Sequence, residues 1–225
     1  MSKNMLKLIE PISKRGQVVS AIKMAILSGT IEPGETIVES RTAQQLGVGI
    51  PLVREALIEL EHVGYVRRIP YKGTTVTKLG RRDVERAFRL RVELEGLAIE
   101  WAKENATPAN IRELQTMIER MKRAAKDLDL DQFYEADLAF HRKLWEMSDN
   151  PYLVDALERI VTPLFAFFVM KTSHERDSYV DSALAHEKIV RALPRMSAAG
   201  LRKLMKESIE GWKDDMLNRL LPEDL

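Results

Sequence analysis

Asp137 and His141 stand four residues apart in the run Asp137-Leu138-Ala139-Phe140-His141. At that spacing on a helix, a carboxylate and an imidazole share one face and can converge on a single point. Leu138, Leu144 and Trp145 mark much of this helix as buried. In such an interior both groups are costly unless they are paired or hold a metal ion. A second histidine, His186, opens another amphipathic stretch with Leu184, Ile189 and Leu193 on its apolar side. On their own, these residues leave two readings open: an Asp–His hydrogen bond at the surface, or part of a ligand site. Arg91 shares a face with Leu94 and Ala98, so it either offers its guanidinium inward to a carboxylate or pairs with Glu93 or Glu95. His62 and His174 have no partners at ligand spacing and read as surface or packing residues. Trp101, Trp145 and Trp212 recur with aliphatic residues at helical spacing and read as core.

A different chemistry is written nearer the N-terminus, in residues 38 to 66. Ala43 and Leu46 supply the apolar face of a short helix, and Gly47 ends it, since glycine enters the left-handed region cheaply. Pro51 marks the start of a second helix, along which Val53, Ala56, Leu57, Leu60 and Val63 recur at helical spacing. Arg54 falls on the opposite, exposed side. Two short helices about such a turn make a helix-turn-helix, whose second helix can enter the DNA major groove. Two β-rich runs follow, Tyr65 to Ile69 and Thr74 to Thr77, around the tip Pro70-Tyr71-Lys72-Gly73. A basic hairpin after a helix-turn-helix is a winged helix. Lys72 supplies charge for a phosphate, and Gly73 lets the backbone come close to the DNA.

The elements that must hold these groups divide the 225 residues into two domains, expected at 1–78 and 79–225. Residues 1 to 78 carry 11 Lys and Arg against 7 Asp and Glu, and the remainder 24 against 27, so the net +1 hides a basic front and an acidic back. That asymmetry suits a protein presenting one end to DNA. The absence of cysteine excludes disulfides, thiolate metal sites and thiol nucleophiles, and fits a reducing interior. No apolar run reaches the ~20 residues of a membrane span, although Leu164 to Met170 is strongly hydrophobic. Met1 to Ile12 lacks the features of a signal peptide, so a cytoplasmic protein with no membrane partner is expected. After Lys78 the periodicity is helical almost to the end. It predicts helices at 81–105, 108–126, 130–148, 151–172, 177–194 and 197–220, with starts at Thr107-Pro108, Asn150-Pro151 and Ser197 and a kink at Pro163. The fold class is mainly α: a winged helix-turn-helix followed by an all-α bundle of six to seven helices.

In order, Ala25 to Glu35 (AILSGTIEPGE), then LGV, PLVREAL and LE-x-x-GYV resemble the N-terminal domain of GntR-family transcription regulators over about residues 15 to 78. The family usually has Ser-Arg or Thr-Arg after LGV; here Gly49-Ile50 stands there. That arginine normally touches DNA, so base readout must differ. Ile50 and Leu52 are suited to thymine methyls, and Arg41 and Arg54 to phosphates or guanines. Further on, D-x-x-F-H, S-x-N-P and H-x-x-I resemble the FCD effector domain of the FadR subfamily over about residues 81 to 220. The resemblance implies a carboxylate effector beside a divalent cation (Zn, Ni or Mn) held by one Asp and three His. Asp137, His141 and His186 match three of those ligands, Ser208 falls where the fourth is usual, and Arg91 falls in the family's R-x-x-L-E. Serine is a poor neutral ligand, which leaves two versions open: a three-ligand metal site completed by water or effector, and an acid-binding site without metal.

The reading is therefore a homodimeric regulator, a repressor of palindromic operator DNA, whose affinity responds to a small organic acid. A metal-dependent hydrolytic enzyme using Asp137, His141 and His186 is the alternative, although no general base stands at a diagnostic spacing and a winged helix has no part in it. A structural DNA-binding protein with an inert helical body is a third, disfavoured by polar groups that the body would bury without a ligand.

Overall fold

The computed structural model describes residues 13–172 and 176–221. The chain divides between Val76 and Thr77 into two compact units, two residues before the expected boundary at Lys78. The first contains α1 (Lys14–Leu27), β1 (Thr36–Ile37), α2 (Glu39–Leu46), α3 (Ile50–His62), β2 (Val66–Ile69) and β3 (Gly73–Val76). The α2–α3 pair is the helix-turn-helix. Gly47 takes φ 64° at the C-cap of α2. Because Gly49 serves as N-cap, α3 begins at Ile50, one residue before Pro51. Val53, Ala56, Leu57 and Leu60 are buried against the rest of the unit. Leu46 does not join them: it is 37% exposed, leaving Ala43 as the buried residue of α2. Two elements have no counterpart in the sequence reading. They are α1, which buries Val18, Ile22 and Ile26, and the two-residue strand β1.

The antiparallel sheet has the order β1-β3-β2, so β3 lies in the middle and the β2–β3 hairpin forms the wing. Val66 pairs with Val76 and Ile69 with Gly73, which fixes the tip at residues 70–72. The Lys72 N–H donates to the Ile69 carbonyl at 3.0 Å and closes the turn. Tyr71 sits there at φ 65°, in a position that glycine usually fills, and is fully exposed.

The second unit is helical: α4 (Arg81–Asn105), α5 (Pro108–Asp127), α6 (Leu130–Glu146), α7 (Pro151–Lys171), α8 (Arg176–Ala192) and α9 (Ala198–Leu220). Local chemistry sets the helix starts. Thr107 accepts from the Asn110 N–H while Asn110 Oδ1 accepts from the Thr107 N–H, a reciprocal cap on α5. Asp129, Asn150 and Ser197 cap α6, α7 and α9 through the N–H groups of Gln132, Leu153 and Gly200. The assigned α7 continues across Pro163. It is the helix least able to face water, burying Leu164 through Val169 without interruption. Phe88, Tyr134, Phe140, Trp145 and Phe167 centre the core of the unit. Trp145 is the one tryptophan fully inside; Trp101 and Trp212 are half-buried. Of the three residues expected on the apolar side of α8, Leu184 is 45% exposed, whereas Ile189, and Leu193 just past the helix end, are buried, along with Ala183 and Val190. No described helix is long and apolar enough to cross a membrane.

Candidate functional site

Asp137 and His141 on α6 converge as their spacing predicts, and His186 on α8 joins them as the resemblance implies. One ligand-type atom from each lies within 4.8 Å of the others. The Asp–His pairing at the surface is not what forms. His141 and His186 are buried, and Asp137 approaches His186, with its Oδ1 3.1 Å from His186 Nε2. The two imidazoles meet through their Nε2 atoms, 3.0 Å apart.

What lies behind each ring decides its tautomer. His141 Nδ1 is 3.1 Å from Glu95 Oε2 on α4, and His186 Nδ1 is 2.6 Å from the Ser182 carbonyl. Both partners only accept, so each Nδ1 carries the proton and donates. Each Nε2 of a neutral ring then holds a lone pair, and the two lone pairs face one another beside a carboxylate. Such an arrangement calls for a positive charge between them, either a proton or a metal ion. Asp137 Oδ1 is buried and makes no hydrogen bond, although it is within ion-pair distance of His186. An orphaned carboxylate oxygen and two Nε2 lone pairs on one point are a donor set that a divalent cation of the Zn, Ni or Mn type fits.

Electrostatics reinforce the grouping. Burial pushes the Asp137 carboxyl up, but the His186 charge and contact outweigh it and hold it below its usual range. Burial likewise works against the charged form of His186, and Asp137 with the Ser182 carbonyl overcomes it and raises this imidazole. His141 goes the other way: burial lowers it further than Glu95 can restore. Glu95, 1% exposed, is held at about 2 despite its burial by Arg91 and His141.

Arg91 reconciles its two sequence readings. Its Nε donates to Glu95 Oε1 at 2.7 Å, and the buried guanidinium also lines a cavity of about 690 Å³ in the helical unit. Asp137, His141, His186 and Ser208 line the same cavity. So does Trp212, which makes it a wall residue and not only core packing. His62 is exposed on α3, and His174 lies outside the described residues.

In the first unit, Arg41 is exposed on α2, and Ile50 and Arg54 are exposed four apart on α3, where they share a face; Leu52 is half-buried. Lys72 and Gly73, the latter at φ 83°, are exposed at the wing tip. Arg54 is not an unengaged cation. Its Nε and one terminal nitrogen donate to Glu39 at 2.8 to 3.3 Å, linking α3 to the start of α2.

Two family models match this architecture: bacterial regulatory proteins of the gntR family over residues 14–76, and the FCD domain over residues 86–211. The chain belongs to the GntR family of bacterial transcription regulators. Among the relatives of this GntR regulator, the HTH-type transcriptional regulator McbR of Escherichia coli (strain K12) is 32% identical over 144 residues, which span 64% of this chain and 65% of McbR. A probable D-xylose utilization operon transcriptional repressor of Paenarthrobacter nicotinovorans is 31% identical over 177 residues, 79% of this chain and 77% of that protein. The solved structure of E. coli McbR/YncC is similar with a TM-score of 0.70 at 25% identity, covering 93% of this chain and 99% of that one.

Sequence reasoning about this GntR regulator passes over three contributors. Glu95 enters it only as an ion-pair partner of Arg91, and its signal was the four-residue spacing from Arg91 amid apolar neighbours. Ser182 acts through its backbone, which no side-chain pattern reveals. Glu39 lies fifteen residues from Arg54, and only the folded helix pair brings them together.

Proposed function

We propose that this chain is a DNA-binding transcription regulator, a repressor acting as a homodimer on palindromic DNA, whose operator affinity is set by a small organic acid in the cavity of the helical unit. The observation that carries the effector reading is the convergence of Asp137, His141 and His186 with their outer contacts already made. These three residues would hold a divalent cation, with Glu95 and Ser182 fixing the two imidazoles. A bound cation would supply Lewis acidity toward a carboxylate. Arg91 binds the same carboxylate by charge and hydrogen bonding, and the buried walls exclude competing water. Relatives named as transcription regulators and repressors support the DNA-binding reading; nothing in the comparisons supports the hydrolytic alternative.

Two experiments test this reading. The operator is recovered by selection from random duplex DNA, and its binding is then titrated with carboxylates, with and without metal. Effector-dependent affinity is expected, and affinity indifferent to every acid would leave an unregulated DNA-binding protein. Separately, metal affinity is compared between wild type and Ser208→His. Serine is a weak donor, so an imidazole at the fourth position is expected to tighten the metal. Failure of either protein to take up Zn, Ni or Mn would leave the metal-free, acid-binding version.

A further inference from the structure

The cavity combines a cluster of polar groups inside the helical unit with apolar, largely aromatic walls. The buried Arg91, His141 and His186 gather at the head with Asp137, which is half-buried and has its Oδ1 inside. The cavity's other charged lining residues, among them Asp181, Lys188, Glu207 and Asp215, are exposed and therefore belong to the mouth. Phe133, Phe165, Phe168, Val169, Ile189 and Trp212 supply apolar lining.

Among the described residues, Thr172, Tyr179, Ser182 and Ser208 bring hydroxyls to the lining, and the first two are already committed. Thr172 Oγ1 donates to the Phe168 carbonyl at 2.8 Å and lies 2.9 Å from Tyr179 Oη, so these two hydroxyls are bonded to each other. The rings also crowd the head directly. The Arg91 guanidinium lies 4.7 Å from the Phe165 ring centre and 6.0 Å from that of Trp212, and Trp212 meets Phe168 edge to face at 4.6 Å. A carboxylate bound at Arg91 therefore has its next carbons against aromatic carbon. Hydroxylated carbons set against those rings lose their hydrogen bonds to water and find none in the ring faces, which costs affinity at each hydroxyl so placed. An apolar body in the same place gains by leaving water.

We infer that the effector of this site is an amphipathic monocarboxylate, with its acid group on the Arg91/Asp137/His141/His186 head and an aryl or alkyl body against Phe165, Phe168 and Trp212, and not a polyhydroxy acid. The inference rests on the effector reading of the cavity given above.

Isothermal titration of the full chain separates the two. The probes are 3-phenylpropionate, octanoate, gluconate, acetate and the neutral 3-phenylpropanol, each in zinc-containing buffer and again with chelator. In at least one of the two buffers, 3-phenylpropionate and octanoate are expected to bind about tenfold or more tightly than gluconate, and the alcohol about tenfold more weakly than its acid. Trp212→Leu is expected to weaken 3-phenylpropionate severalfold more than it weakens acetate, which engages the head alone. Gluconate binding as well as 3-phenylpropionate would overturn the inference and keep the cavity as an effector site. No binding by any of the acids in either buffer would overturn both.

Discussion

At the scale of single residues, Arg54 at the surface and Glu95 in the interior are both held by ion pairs. Arg54 was legible as an outward-facing arginine, but its partner Glu39 was not, because that pairing depends on how α2 and α3 cross. The pairing changes what substitution should do. Arg54→Ala is expected to weaken operator binding about tenfold, as for loss of a good arginine contact. Glu39→Gln should instead strengthen binding to all sequences at low salt and lower the ratio of specific to non-specific affinity. It removes a negative charge facing phosphates and also releases the arginine from a fixed orientation. Anisotropy titrations against specific and random duplexes at several salt concentrations would check both, and unchanged ratios would remove Glu39 from recognition. Glu95 gives a prediction of the opposite kind, about stability. Its carboxyl is held near 2 in the folded chain against an ordinary 4.5, so the folded state binds its proton later than the unfolded state does. The stabilisation is whole above about pH 4.5 and is lost as pH falls toward 2, and the shift corresponds to something on the order of 3 kcal/mol. Glu95→Gln should be less stable at neutral pH, because Arg91 is left buried without its counter-charge, and flatter across that acid window. Urea midpoints of chelator-treated protein from pH 7 to pH 2 would show it. Parallel acid slopes in the two proteins would mean Glu95 is not the group responsible.

Elements were the most legible scale, for a physical reason: their starts and stops are decided locally. Thr107-Pro108, Asn150-Pro151 and Ser197 each place an N-cap oxygen where the first turn needs an acceptor, and the helices begin there. Gly47 ends α2 because the chain must turn with φ 64°. Its added Cβ would meet nothing within 4 Å, so Gly47→Ala isolates the backbone cost of that turn. A loss of about 1 kcal/mol is expected in the unfolding of the first unit. An alanine variant of unchanged stability would show that the turn relaxes to negative φ. What the sequence concealed at this scale was whatever non-local pairing creates. The two-residue β1 exists only because β3 lies beside it. Leu46 and Leu184 have the right type and spacing for a buried face but stand on sides of α2 and α8 that remain exposed. Periodicity shows that a face is apolar; which part of it a neighbour covers depends on packing.

For the molecule as a whole, division into two compact units was legible in the change of periodicity after residue 78, whereas the shape of the cavity was not. Arg91, Asp137, His141, His186 and Ser208 come from α4, α6, α8 and α9, and their ring-lined surroundings are a product of the assembled bundle. That origin has a consequence for how long the protein lasts. A site whose parts come from four helices has no counterpart in the unfolded chain, so whatever fills it also opposes unfolding. At a ligand concentration 100 times the dissociation constant the gain is about 2.7 kcal/mol, which cuts the unfolded population roughly a hundredfold. Proteases that degrade the opened form follow that population. The abundance of such a regulator would then track the supply of its own ligand, apart from any change in DNA affinity. Pulse-chase decay in cells, and thermolysin digestion of the purified chain with and without zinc and 3-phenylpropionate, would measure the effect. Equal lifetimes with the site filled and empty would show that the helical unit is stable enough to make ligand supply irrelevant to turnover.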